Sequence, residues 1–114
     1  MELMTNKNLA DKDDILDMVW NAAKRKRRSL PSLARRIIKL NEEAGELSEA
    51  FLGSTSKTNR KHKKWADVRE EAVDTAIIAL DIALTCHEAG DPKEDTIKWF
   101  KRKINKWLRR QQKL

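Results

Sequence analysis

The sequence predicts an all-α protein, an antiparallel bundle of four helices that oligomerises, and three observations carry that reading. Turn-forming residues are scarce, with 3 Gly and 2 Pro in 114 residues and no Tyr, where a sandwich or barrel of short strands needs many more. Apolar residues recur at helical spacing in four separate segments. One of these, containing VDTAIIALDIALTC, is apolar on most of its circumference, which predicts a central helix buried in part against another subunit. The apolar share of 39% and the length suit one folded domain over residues 1–114.

The first helix is expected from about Asp11 to Arg27, with Ile15, Met18, Val19 and Ala22 on one face, aspartates at its start and the basic run KRKRR at its end, as the helix dipole prefers. Ser29-Leu30-Pro31-Ser32 is a break. A second helix, about residues 32–52, carries Leu33, Ile37, Leu40, Ala44, Leu47 and Phe51 in register and is expected to stop at Gly53. From Gly53 to Lys64 the stretch GSTSKTNRKHKK has no apolar residue and reads as a basic connection. The third helix is expected from Trp65 to about Glu88, ended by Ala89-Gly90. Asp91, Pro92 and Glu94 then form a capping-box start for a fourth helix, whose buried stripe is Ile97, Phe100, Ile104 and Leu108.

Lys and Arg number 25 against 18 Asp and Glu, a net charge of +7, which points to an anionic partner. The single cysteine, Cys86, excludes an internal disulfide framework and suggests a reducing compartment, so a cytoplasmic location is expected. The N-terminus lacks the pattern of a signal peptide, and Asp74 and Asp81 interrupt the longest apolar stretch, so no membrane association is expected.

The informative feature is two acidic clusters, Glu42-Glu43-Ala44-Gly45-Glu46 on the second helix and Glu70-Glu71-Ala72-Val73-Asp74 on the third. Glu43 and Glu46 share one helix face, and so do Glu71 and Asp74, with Asp81 two turns further on. If the two faces meet, four carboxylates converge and repel unless a cation joins them. An oxygen-only donor set favours Mg2+ or Mn2+ over zinc. The plainer reading is a solvated helix face with Lys and Arg neighbours. Against it, EExxE arises by chance only ~0.05 times at this composition, whereas ExxD arises ~0.7 times and recurs without meaning at Glu88 and Asp91. Asp74 and Asp81 lie in the most apolar helix, where an unpaired carboxylate costs several kcal/mol and something must hold it.

The motifs NEEAGELSEAF and REEAVDTAIIALDIA, with 24 residues between Glu46 and Glu71, resemble those of the MazG-like all-α nucleoside triphosphate pyrophosphohydrolases. The likeness covers the second and third helices and, more weakly, the fourth. It implies that Glu43, Glu46, Glu71 and Asp74 bind magnesium, and that Glu42 acts as an accessory carboxylate for a further ion or the attacking water. The family's last helix commonly carries a Lys-x-x-Lys-Asn pattern facing the nucleotide. Here Lys103 and Lys106 match its lysines, while Trp107 stands at the Asn position. The resemblance thus implies cleavage of a (d)NTP to (d)NMP and pyrophosphate, catalysed through Glu42, Glu43 and Glu46, in a homodimer or homotetramer. Lys103, Lys106, Trp107 and Asp81 are the expected substrate contacts.

A tetra-anionic substrate accounts for +7 without nucleic acid. The rival reading is a non-enzymatic basic helical module that binds nucleic acid or an acidic protein, its carboxylates paired internally with Lys and Arg. A ferritin-like di-iron bundle is excluded, because neither His62 nor His87 follows a Glu by three positions. Both histidines are expected to be exposed or structural. Trp20, Trp65, Trp99 and Trp107 are candidates for stacking on a base, although a Trp at a helix interface more often serves the core.

Overall fold

The computed structural model describes residues 12–26, 28–55 and 64–112. Among these residues there are four helices and no strand: α1 (Lys12–Ala23), α2 (Leu30–Thr55), α3 (Trp65–Thr85) and α4 (Pro92–Gln112). No helix among them is long and apolar enough to cross a membrane. Most of the expected basic connection, with His62, lies outside the described residues, as do Asp11 and Arg27.

Local chemistry sets the helix ends, and several differ from expectation. The first helix ends at Ala23, within the basic run's approach rather than beyond it. Ser29 caps α2: its Oγ accepts the Ser32 N–H at 3.3 Å and its carbonyl accepts that of Leu33 at 2.9 Å. Pro31 therefore sits in the first turn, where a missing N–H costs nothing, and the helix begins at Leu30. It also runs past Gly53. The hydroxyls of Ser54 and Thr55 turn back to the Phe51 carbonyl at 3.0 and 2.8 Å, bonds that close the helix end without a glycine.

Lys64 and Asp67 cap α3 reciprocally. Asp67 Oδ2 accepts the Lys64 N–H at 2.7 Å, and the Lys64 carbonyl accepts the Asp67 N–H at 2.9 Å. The far end of α3 comes at Thr85, short of Glu88, because the next residues are tied elsewhere: His87 Nδ1 lies 3.0 Å from the Leu84 carbonyl and the Glu88 N–H donates to Asp95 Oδ2 at 3.2 Å. Gly90, with φ of 76°, takes the left-handed conformation that turns the chain into α4. Asp91 caps that helix as expected, its Oδ1 accepting from Lys93 N at 2.9 Å and Glu94 N at 3.2 Å. The side chain that reaches backward is Asp95, one residue later than expected.

The chain divides into two compact units, Met1–Arg25 with Ala83–Leu114, and Lys26–Ile82. In the first, α1 packs on α4, Lys93 pairs with Asp17, and the Trp20 ring meets His87 edge-on at 5.9 Å between centroids. Ala23, Leu84, Thr85 and Thr96 are buried there. In the second, Arg36 of α2 meets Asp81 of α3, the rings of Phe51 and Trp65 stand 6.3 Å apart, and Ala50 is buried. In the single chain, Val73 and Ile77 of α3 are about half exposed, and so are Phe100, Ile104 and Leu108 of the expected α4 stripe, with Ile97 half-buried. A helix is covered only where a neighbour lies against it, and an apolar surface broader than that contact stays open to solvent.

Candidate metal centre

Glu43 and Glu46 of α2 and Glu71 of α3 come together, one carboxylate oxygen of each lying within 4.8 Å of the others. The three-residue spacing places the first two on one helix face. Glu43 is only 8% exposed. Its Oε1 accepts from Lys39 Nζ at 3.2 Å, and the same ammonium lies 3.8 Å from Glu42 Oε2. Oε2 of Glu43 is buried without a hydrogen-bond partner, and so is Oε2 of Glu71. Between the two α2 carboxylates, Gly45 leaves open space, since a Cβ there would meet nothing within 4 Å.

The electrostatics follow from this crowding. Burial, and then the charges of Glu46, Asp74 and Glu43, push the Glu71 carboxyl above its ordinary value. The hydrogen bond to Glu43, followed by that residue's charge, holds the Lys39 ammonium above its own. A carboxylate oxygen buried with no donor carries its full desolvation cost, and like charges at this separation add to it. The donor set is all oxygen, so a hard divalent cation of the magnesium or manganese type fits it, and zinc fits it poorly.

The other expected site residues are distributed as follows. Glu42 is exposed beside Glu43. Asp74 is exposed and lies outside the three mutually close carboxylates, although its charge bears on Glu71. Asp81 is buried in an ion-pair network, with Lys26 Nζ at 2.6 Å and Arg36 Nη1 at 2.9 Å. Burial pushes its carboxyl up, but the hydrogen bonds and charges of Lys26 and Arg36 outweigh that and hold it below its ordinary value. What holds this carboxylate in an apolar helix is therefore the chain's own cations. In the other unit, Lys103 lines a groove of about 370 Å³ together with Cys86, His87, Trp99 and Phe100. Lys106 and Trp107 are exposed on α4, and Arg102 lies over the Trp99 ring at 4.7 Å.

Three participants escaped the sequence reading. Lys39 was within reach of it, standing four residues before Glu43 and three before Glu42. Lys26 and Arg36 were not, because they meet Asp81 across 55 and 45 residues of chain and no local spacing announces that. Compared with protein-family models, curated proteins and solved structures, the chain matches none.

Proposed function

We propose that this chain is a magnesium-dependent nucleoside triphosphate pyrophosphohydrolase, a MazG-like enzyme that cleaves between the α and β phosphates to release the monophosphate and pyrophosphate. The observation that carries the reading is the pair of buried, unpartnered oxygens, Oε2 of Glu43 and Oε2 of Glu71, in a group with Glu46. Glu43, Glu46 and Glu71 would hold the cation, with Asp74 joining them by rotation of its exposed side chain. Magnesium, or manganese in its place, supplies Lewis-acid polarisation of the phosphate when bound. Glu42, exposed beside Glu43, would take a proton from an attacking water. The lysines of α4, with Lys103 and Lys106 foremost, would draw in the anionic triphosphate.

Assembly belongs to the same reading. The contacts of Arg36 with Asp81, of Glu43 and Glu46 with Glu71, and of Phe51 with Trp65 fit an antiparallel pairing of α2 and α3. Half-exposed Val73, Ile77, Phe100, Ile104, Trp107 and Leu108 supply apolar surface for a homodimer or homotetramer. The rival basic module has one observation on its side, the internal pairing of Asp81 with Lys26 and Arg36, which is the arrangement it expects of every carboxylate. It leaves Glu71 unexplained.

The test is pyrophosphate release from a panel of ribo- and deoxyribonucleoside triphosphates with Mg2+ and with EDTA. Activity should require the metal and vanish in Glu71→Gln and Asp74→Asn, with helix content retained. Magnesium-dependent turnover unchanged in Asp74→Asn would remove Asp74 from the site, and unchanged turnover in both variants would remove the site itself.

A further inference from the structure

The placement of Lys39 at the edge of the carboxylate cluster is not explained by the helix that carries it. Its ammonium lies 3.2 Å from Glu43 Oε1 and 3.8 Å from Glu42 Oε2. A lysine four residues before a glutamate is the weaker order for such a pair, since the helix dipole favours the reverse. The Lys39 side chain is also 54% exposed, so the pair by itself contributes little to α2. What it changes is Glu43. That residue is nine-tenths buried, and with Oε1 engaged by Lys39 the other oxygen is the one left inside without a donor. Glu43, Glu46 and Glu71 bring three negative charges together, and Lys39 is the ammonium that offsets part of that charge at Glu43.

We propose that Lys39 is the displaceable counter-ion of this cluster: it neutralises Glu43 in the metal-free chain, fixes that carboxylate with one oxygen inward, and yields when a divalent cation enters. The displacement rests on the metal reading above, whereas the counter-ion role rests on the geometry alone. The chemistry suits a lysine. Its ammonium is a point charge on a flexible four-carbon stem, able to leave for water without breaking a fixed bidentate geometry. Holding Glu43 and competing for its charge make Lys39 a positioning residue that sets how tightly the metal binds.

The experiment compares the full-length wild type with Lys39→Met and Lys39→Arg, titrating each with Mn2+ by calorimetry and melting each in EDTA and at saturating Mn2+. Lys39→Met keeps the apolar stem and removes the charge. It should bind Mn2+ roughly fivefold more tightly, the order expected for deleting one unit charge at such a distance near water. Lys39→Arg keeps the charge and can hold Glu43 with two N–H groups, so it should bind Mn2+ no more tightly than the wild type. In EDTA, Lys39→Met should melt a few degrees lower, Glu43→Gln placed in that background should restore the loss, and at saturating Mn2+ the difference should close. Mn2+ affinity unchanged or weakened in Lys39→Met, with wild-type binding intact, overturns the displacement. If the wild type takes up no Mn2+, the metal reading falls and displacement with it. The counter-ion role then stands or falls on the EDTA melts, where an unchanged Tm or a failure of Glu43→Gln to rescue overturns it.

Discussion

Replacing Asp81 by Asn removes one charge from a buried network while keeping the shape of the side chain, and the structure allows its cost to be worked out. Removing one partner of a buried ion pair typically costs about 3 to 5 kcal/mol, because the other charge is left uncompensated. Two features lower that figure here. Lys26 is about half exposed and can return to water, so its share is that of a surface pair, under about 1 kcal/mol. Arg36 is 9% exposed and cannot, but it retains long hydrogen bonds to Ser32, 3.4 Å to the carbonyl and 3.5 Å to the hydroxyl. The expected loss is about 2 to 3 kcal/mol, a fall in Tm of roughly 8 to 12 °C for a domain of this size. Thermal melts followed by far-ultraviolet circular dichroism measure it, with Lys26→Met as the companion that should lose no more than about 4 °C. Since the folded-state carboxyl of Asp81 lies below its ordinary value, its stabilisation is present above about pH 4 and fades as the pH falls further, so the gap between wild type and Asp81→Asn should narrow there. A variant melting within about 2 °C of the wild type at neutral pH, or a gap that widens in acid, would refute the assignment of Arg36 and Asp81 as an interdependent pair.

Two further outcomes are expected. Asp91→Ala removes the acceptor of the Lys93 and Glu94 N–H groups at the start of α4 and should cost about 1 kcal/mol, measured by urea denaturation, with the m-value unchanged. Lys103→Met and Lys106→Met keep their apolar stems, so Tm should hardly move. If either ammonium meets the triphosphate, its variant should lose about 1 to 3 kcal/mol of kcat/KM, and wild-type kinetics in both would confine the triphosphate to other residues.

The four helices were legible because each carries its own periodic apolar residues. Asp91 with Pro92 marked the start of α4 to the residue. The ends of α2 and α3 were not legible in the same way: Gly53 looked like a stop, yet hydroxyls at Ser54 and Thr55 close the helix beyond it, and α3 ends early because Glu88 is drawn to Asp95, which lies on the next helix. At the site, the three-residue spacing of Glu43 and Glu46 put them on one face, and the match to Glu71 across 24 residues brought the second helix into the argument. Periodicity could not tell Asp74 from Asp81. Both occupy an apolar helix, but one is exposed and the other is clamped by cations from α2 and from the chain just before it, contacts that depend on how helices approach rather than on where residues fall along one of them. What covers the apolar faces was not legible for a similar reason, since a helical wheel shows which face is apolar and says nothing of what lies against it.

The four tryptophans give the chain an optical record of its own surface. Trp65 and Trp107 are more than half exposed, Trp99 lies partly under a guanidinium, and Trp20 stands edge-on to His87 in partly buried surroundings. An indole in water emits at longer wavelength than one in an apolar contact, so the isolated chain would fluoresce largely as a solvated indole, with Trp20 contributing a bluer component. Any surface that came to cover α4 would shift the light of Trp99 and Trp107, while light from Trp65 would report on the start of α3. A label-free spectrum followed over protein concentration would register enclosure of these exposed indoles, and the same titration of Trp65→Phe would assign the shift to α3 or to α4.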